Sequence, residues 1–170
     1  MKRLLIVDDE APVLYALRRL LQRHYTLKQL DVEICADPLL ALQRLRQERF
    51  DVLISDYRMP GLDGVTLLAL ARELDPRTVR MMLSAADDFG TVLSAVNRAG
   101  VFRYLPKPWS EAQLLADLQA ALAFDSGAGA NETERRRLEA LWQGIAQVEW
   151  GSNGEAKLPE DYLATRPAKL

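Results

Sequence analysis

Five short apolar runs, separated by stretches with helical periodicity, fill the chain from residue 1 to about 124. The runs are Arg3–Val7, Val32–Ala36, Val52–Ser55, Val79–Leu83 and Val101–Leu105. The first, third and fourth read as strands buried on both faces, which need apolar residues throughout rather than at every second position. Between the runs, apolar spacing predicts helices over Pro12–His24, from Pro38 with Leu39, Leu42 and Leu45 on one face, over Val65–Leu74, over Asp88–Arg98, and from Glu111 to about Phe124. Pro12 suits a first turn, Asp37 and Ser110 precede helix starts, and Gly100 suits a stop. Strand and helix in strict alternation predict an α/β fold, a parallel sheet covered by helices on both sides, and right-handed crossovers leave few topologies. The link Tyr25–Asp31 is long for this layout, which leaves a first helix running on past His24 as the alternative.

Composition narrows the function classes. A hydrophobic fraction of 49% supports a real core, and a formal charge of −2 is not the footprint of a nucleic-acid binder. The N-terminal apolar stretch Leu4–Val7 runs straight into two aspartates, so neither a signal peptide nor a membrane span is expected, and a cytoplasmic location is. With one cysteine and one histidine, an intrachain disulfide and a multi-histidine metal site are both excluded. Cys35 reads as a small buried strand residue and His24 as a helix C-terminal residue favoured by the dipole.

The polar residues where the runs stop are more informative. Asp8 and Asp9 follow the first run, Asp56 the third, Ser84 the fourth and Lys107 the fifth. In an open α/β sheet the crevice outside the carboxyl ends of the strands is where ligands bind. Three carboxylates, a hydroxyl and an ammonium would therefore meet in one crevice. Adjacent aspartates repel unless a cation neutralises them, and a hard ion such as Mg²⁺ takes carboxylate and phosphate oxygens. Lys107 offers a compact positive charge for a phosphoryl oxygen and Ser84 a hydrogen bond. Asp56 is the natural nucleophile, because a carboxylate can form an aspartyl-phosphate. The set suits phosphoryl transfer driven by positioning and electrostatics.

The segments LLIVDDE, DVLISDYRMPGLDG, MMLSA and YLPKPW occur in that order, each at a strand end. Together they resemble the receiver domain of two-component response regulators over residues 1–124. The resemblance implies a flavodoxin-like, doubly wound five-stranded parallel sheet of order 2-1-3-4-5. It implies that Asp56 accepts a phosphoryl group from a sensor histidine kinase or phosphotransfer protein. Mg²⁺ would be held by Asp9, Asp56 and the backbone carbonyl of Arg58, with Asp8 acting mainly through water. Lys107 would contact the phosphoryl group, and the Lys107–Pro108 peptide would be cis. Ser84 would swing toward the phosphate while Tyr104 turns inward. That exchange would rebuild the face made by the helix over 88–98, the fifth strand and the last helix. Arg58 and Ala86 would flank the phosphoryl group and set its lifetime.

From Asp125 the character changes. A small-residue linker, 125–131, leads to a C-terminal extension, 132–170, and the two together carry eight acidic and six basic residues. A helix is expected over Glu132–Gln143, followed by a hairpin around Gly151–Gly154 with Glu155–Leu158 as its return strand; one longer helix through Leu138, Leu141, Ile145 and Val148 is the alternative. Arg135-Arg136-Arg137 reads as a solvated helix face, and residues 163–170 as frayed. Trp142 and Trp150 are expected to pack on the receiver or to form a dimer or partner surface. The extension does not read as a DNA-binding unit, so output through a protein partner or a homodimer is expected. It could also open a longer effector module. A phosphate-independent docking module would be signalled by loss of an acidic or lysine position, and none is lost. A phosphatase would carry a second acid two residues past the nucleophile, where this chain has Arg58.

Overall fold

The computed structural model describes residues 1–85 and 99–124 in full, together with the backbone of residues 149–150 and 156–157. The elements are β1 (Lys2–Val7), α1 (Ala11–His24), β2 (Leu30–Cys35), α2 (Pro38–Gln47), β3 (Val52–Asp56), α3 (Gly64–Leu74), β4 (Val79–Ala85), β5 (Arg103–Lys107) and α4 (Glu111–Ala123), then β6 (Glu149–Trp150) and β7 (Ala156–Lys157). The first five strands form one parallel sheet in the order β2-β1-β3-β4-β5. This is the expected doubly wound α/β topology.

Successive side chains of a strand point to opposite faces, so each central strand feeds two cores. Leu5, Val7, Leu53 and Met82 pack with Leu42, Leu67 and Leu68 of α2 and α3. Leu4, Ile6, Ile54 and Leu83 pack with Leu17, Leu21, Leu114 and Leu118 of α1 and α4. That double burial is why the central runs are apolar at consecutive positions. The helix starts are capped as their sequences suggest. Asp37 accepts from the Leu39 and Leu40 backbone N–H groups, Asp63 from Thr66 and Ser110 from Gln113. His24 is the last residue of α1, and Cys35 is buried at the end of β2.

The first helix ends at His24, as its apolar spacing predicts, and does not extend into the long link that follows. Three boundaries differ from the sequence reading. The length of that link is taken up by a turn in which Gln29 Oε1 accepts from the Thr26 backbone N–H and hydroxyl, each at 2.9 Å, and β2 starts early, pairing Leu30 with Lys2. β5 lies two residues later than Val101–Leu105, because Val101 and Phe102 form the approach to the strand, with the Phe102 N–H donating to the Arg80 carbonyl at 2.7 Å. Pro106 looks like a stop but sits inside β5, which an edge strand tolerates. Asp56 and Ser84 belong to β3 and β4 rather than following them.

The helix expected over Asp88–Arg98, Ala86, the linker and the helix over Glu132–Gln143 lie outside the described residues. Ala99 is helical and Gly100 has φ +58°, the left-handed conformation that ends helices. The expected hairpin is present as β6 and β7, antiparallel, with Trp150 opposite Ala156. Among the described residues, no helix is long and apolar enough to cross a membrane.

Candidate functional site: an acidic crevice at the strand ends

The parallel sheet delivers the predicted residues to one edge. Asp8 follows β1, its backbone N–H donating to the Cys35 carbonyl at the end of β2. Asp56 ends β3, and the next backbone N–H, that of Tyr57, bonds the Leu83 carbonyl of the neighbouring β4. Ser84 lies one residue before the end of β4, and Lys107 ends β5, paired with Ala85. Asp8 and Asp56 are buried, whereas Asp9 is exposed. Carboxylate oxygens of Asp8, Asp9 and Asp56 lie within 4.8 Å of one another.

Lys107 enters this cluster from the side. Its Nζ is 2.6 Å from Asp56 Oδ1, 2.7 Å from Asp8 Oδ2 and 3.7 Å from Glu10 Oε1. The other Asp8 oxygen accepts from the Glu10 N–H at 2.8 Å. Burial pushes the Asp56 carboxyl above its ordinary range; Lys107 and the Arg58 backbone N–H oppose that shift, and Asp8 adds to it. Burial would lower Lys107, but its bonds to Asp56 and Asp8 outweigh that and raise it, so the ammonium stays charged.

Three carboxylates thus face one ammonium, and the buried Asp8 Oδ2 meets Lys107 as an ion pair without a well-directed hydrogen bond. An all-oxygen set with excess negative charge fits a hard divalent cation such as Mg²⁺, and does not suit softer, nitrogen- or sulfur-seeking ions. Beside the cluster opens a cleft of about 610 Å³ lined by Asp9, Tyr57, Arg58, Met59, Pro60 and Asp63. Arg58 lines this cleft. Ser84 is buried near the end of β4, opposite Pro106 of β5. The Tyr104 hydroxyl lies 3.1 Å from both the Ser84 and Ala85 carbonyls, so its ring is turned toward the end of β4. The Lys107–Pro108 peptide is cis.

Sequence reasoning missed two participants. Glu10 adds a more distant carboxylate to Lys107, but an exposed acid beside two aspartates carries no separate signal. Gly64 is the first residue of α3, and a Cβ there would lie 1.8 Å from the Asp56 carbonyl oxygen. Helix and strand end therefore meet backbone to backbone, with the Gly64 N–H donating to the Tyr57 carbonyl at 2.9 Å. The signal was the second glycine of the stretch Met59–Gly64, which reads only as a turn until that contact is known.

Comparison with known proteins agrees with this geometry. Residues 4–119 match the response regulator receiver domain family. The chain is 36% identical over 118 residues to the hydrogenase transcriptional regulatory protein HoxA of Cupriavidus necator, covering 69% of this chain and 23% of that protein. The chain thus spans less than a quarter of the length of that relative. Among solved structures, it resembles the signal receiver domain of an HD domain-containing protein from Pseudomonas fluorescens, with a TM-score of 0.66 and 33% identity over 71% of this chain and 94% of that one. It also resembles the chemotaxis protein CheY4 of Vibrio cholerae, with a TM-score of 0.64 and 29% identity over 72% of this chain and 99% of that one. The family match covers more than half of the residues, and the sheet order and strand-end acids accompany it: this chain belongs to the response regulator receiver domain family.

Proposed function

We propose that residues 1–124 are the phosphoacceptor unit of a two-component response regulator and that Asp56 is the acceptor. One observation carries this reading: Asp56 is buried, with Lys107 Nζ 2.6 Å from its carboxylate, and the next two residues, Tyr57 and Arg58, line the cleft that also takes in Asp9. An Asp56 oxygen attacks the phosphorus of a phosphohistidine on a sensor kinase or phosphotransfer protein. The new O–P bond forms as the P–N bond breaks, and the imidazole nitrogen leaves with the electron pair and takes up a proton. Lys107 follows the charge from the carboxylate to the phosphoryl oxygens. Asp8, Asp9, Asp56 and the Arg58 backbone carbonyl would hold Mg²⁺, which when bound supplies positive charge to the phosphoryl oxygens. The protein assists its own phosphorylation and slow dephosphorylation and is not a turnover enzyme. Arg58 stands where an aspartyl phosphatase would place its second acid.

Ser84 and Tyr104 form the switch: Ser84 bonds the new phosphoryl group, and Tyr104 gives up its position at the end of β4 and turns inward. The readout is a protein partner or a second copy of the chain, with residues 125–131 as linker and 132–170 as the extension, acting in the cytoplasm. HoxA is named as a transcriptional regulatory protein. For this chain, the acidic balance of the extension favours a protein contact over direct DNA binding.

The test is incubation with acetyl phosphate, with and without Mg²⁺, following intact mass and oligomeric size together. A single Mg²⁺-dependent phosphoryl adduct that disappears in Asp56→Asn is the expected result. Equal labelling of Asp56→Asn would overturn the assignment.

A further inference from the structure

Arg80 interrupts the apolar run of β4 yet is buried, only 9% exposed. No carboxylate lies within ion-pair distance of its guanidinium among the described residues. It donates to backbone carbonyls instead: Nε to Ala99 at 3.0 Å, Nη2 to Gly100 at 3.3 Å, and Nη1 to Thr78 and, at 3.3 Å, Pro76. Burial lowers its pKa to about 10, with the Arg72 charge adding to the shift and Asp75 opposing it, so it is a cation at neutral pH. Ala99 and Gly100 end a helix, whose last carbonyls are short of partners and carry partial negative charge. Gly100 is held to this arrangement by φ +58° and by guanidinium atoms of Arg72 and Arg80 that would lie 3.4 Å from any Cβ. The Arg80 backbone carbonyl accepts from Phe102 N–H at 2.7 Å, so one residue grips the approach to β5 through both its side chain and its main chain.

β5 is an edge strand, paired on one side only, with β4. Its register sets where Tyr104 and Lys107 arrive, opposite Met82 and Ala85. A slip of one residue would point every β5 side chain to the other face and remove Lys107 from Asp56. We infer that Arg80 is a positioning residue that pins the register of β5 and thereby holds Lys107 at the acidic crevice. Charge alone is not sufficient for this task. Four carbonyls in different directions need the planar fork of a guanidinium, which a lysine lacks.

The inference rests on the phosphoacceptor reading for one of its readouts but not for the other. Arg80→Met keeps an apolar stem without donors, and Arg80→Lys keeps the charge without the fork. Hydrogen exchange of the parent and both variants is expected to show at least a tenfold faster exchange in β5, with β1 and β3 unchanged. Mg²⁺ affinity, which depends on residues of β1 and β3, should stay within about twofold. Phosphorylation by acetyl phosphate should slow at least tenfold, and Arg80→Met should add nothing further in a Lys107→Ala background. Unchanged β5 exchange in Arg80→Lys, or equal slowing by Arg80→Met with and without Lys107, would overturn the inference. If the parent takes up no phosphoryl group, the functional reading fails while the exchange experiment still decides the role of Arg80.

Discussion

Asp51 and Asp56 bracket the same strand, β3, and their carboxyls are pushed in opposite directions. Burial alone would raise both. At Asp51 the Arg3 N–H at 2.8 Å and Lys2 Nζ at 3.0 Å more than offset it, and the carboxyl falls below its ordinary range. At Asp56 burial wins despite Lys107, because a second buried carboxylate, Asp8, shares the same ammonium. The contrast extends beyond the pair. Around the lower end of the sheet, Arg3 is matched by Glu33, Glu48 and Asp31, and Asp75 by Arg77 and Arg49. One end of the sheet has charges cancelled locally, which serves stability. The other keeps an excess of negative charge, which costs stability and suits a hard divalent cation.

Substitutions can break this comparison, beginning with the largest effect. Gly64→Ala forces a methyl group onto the Asp56 carbonyl and should cost about 3 kcal/mol, the upper end for overpacking, with phosphorylation lost; urea unfolding and intact mass measure both. Lys107→Ala leaves Asp8 and Asp56 without their cation. In divalent-free buffer it should lose about 2 kcal/mol, and Mg²⁺ should restore much of that loss by binding the folded state. Mg²⁺ binding should survive in this variant while transfer is impaired, as titration and phosphorylation assays would reveal. Asp56→Asn removes one of the competing carboxylates and should raise stability by about 1 kcal/mol without divalent cation, seen as a higher Tm, while abolishing the adduct.

Asp51→Asn is the mirror case and the smallest. Because the folded-state carboxyl titrates below its unfolded value, its contribution is fully present above the unfolded value and is lost as pH falls through the folded one. The variant should be at most about 1 kcal/mol less stable at pH 7, and the gap should close as pH falls through the folded-state value. A gap that persists in acid would show that Asp51 acts through packing rather than charge.

The balanced and unbalanced ends were not equally legible in the sequence. Asp8, Asp9, Asp56, Ser84 and Lys107 stood out because each interrupts or ends an apolar run, and parallel strands bring such positions to one edge. The sheet order came from the family resemblance, since alternation alone allows several orders. Gly64 was hidden because its partner is a carbonyl eight positions earlier, and backbone contacts leave no side-chain pattern. Arg80 passed without notice inside an apolar run, because nothing local announces that Ala99 and Gly100 need donors. β5 was misplaced for the same reason: Val101 and Phe102 are as apolar as a strand, but their role was fixed by the Arg80 carbonyl.

The seat of Gly64 against Asp56 also has a mechanical meaning. On that flank the strand end rests on the first turn of α3 with no side chain between them, and the Ser55 hydroxyl holds the same carbonyl at 2.9 Å. Such a joint is stiff; it has no rotamer to change and no gap to close. On the opposite flank the contacts are a serine side chain, a tyrosine hydroxyl on two carbonyls, and a lysine on a flexible stem. Under the proposed acceptor role, a bulky group on Asp56 would push against an anvil on one side and a spring on the other, and the displacement would travel toward β4 and β5.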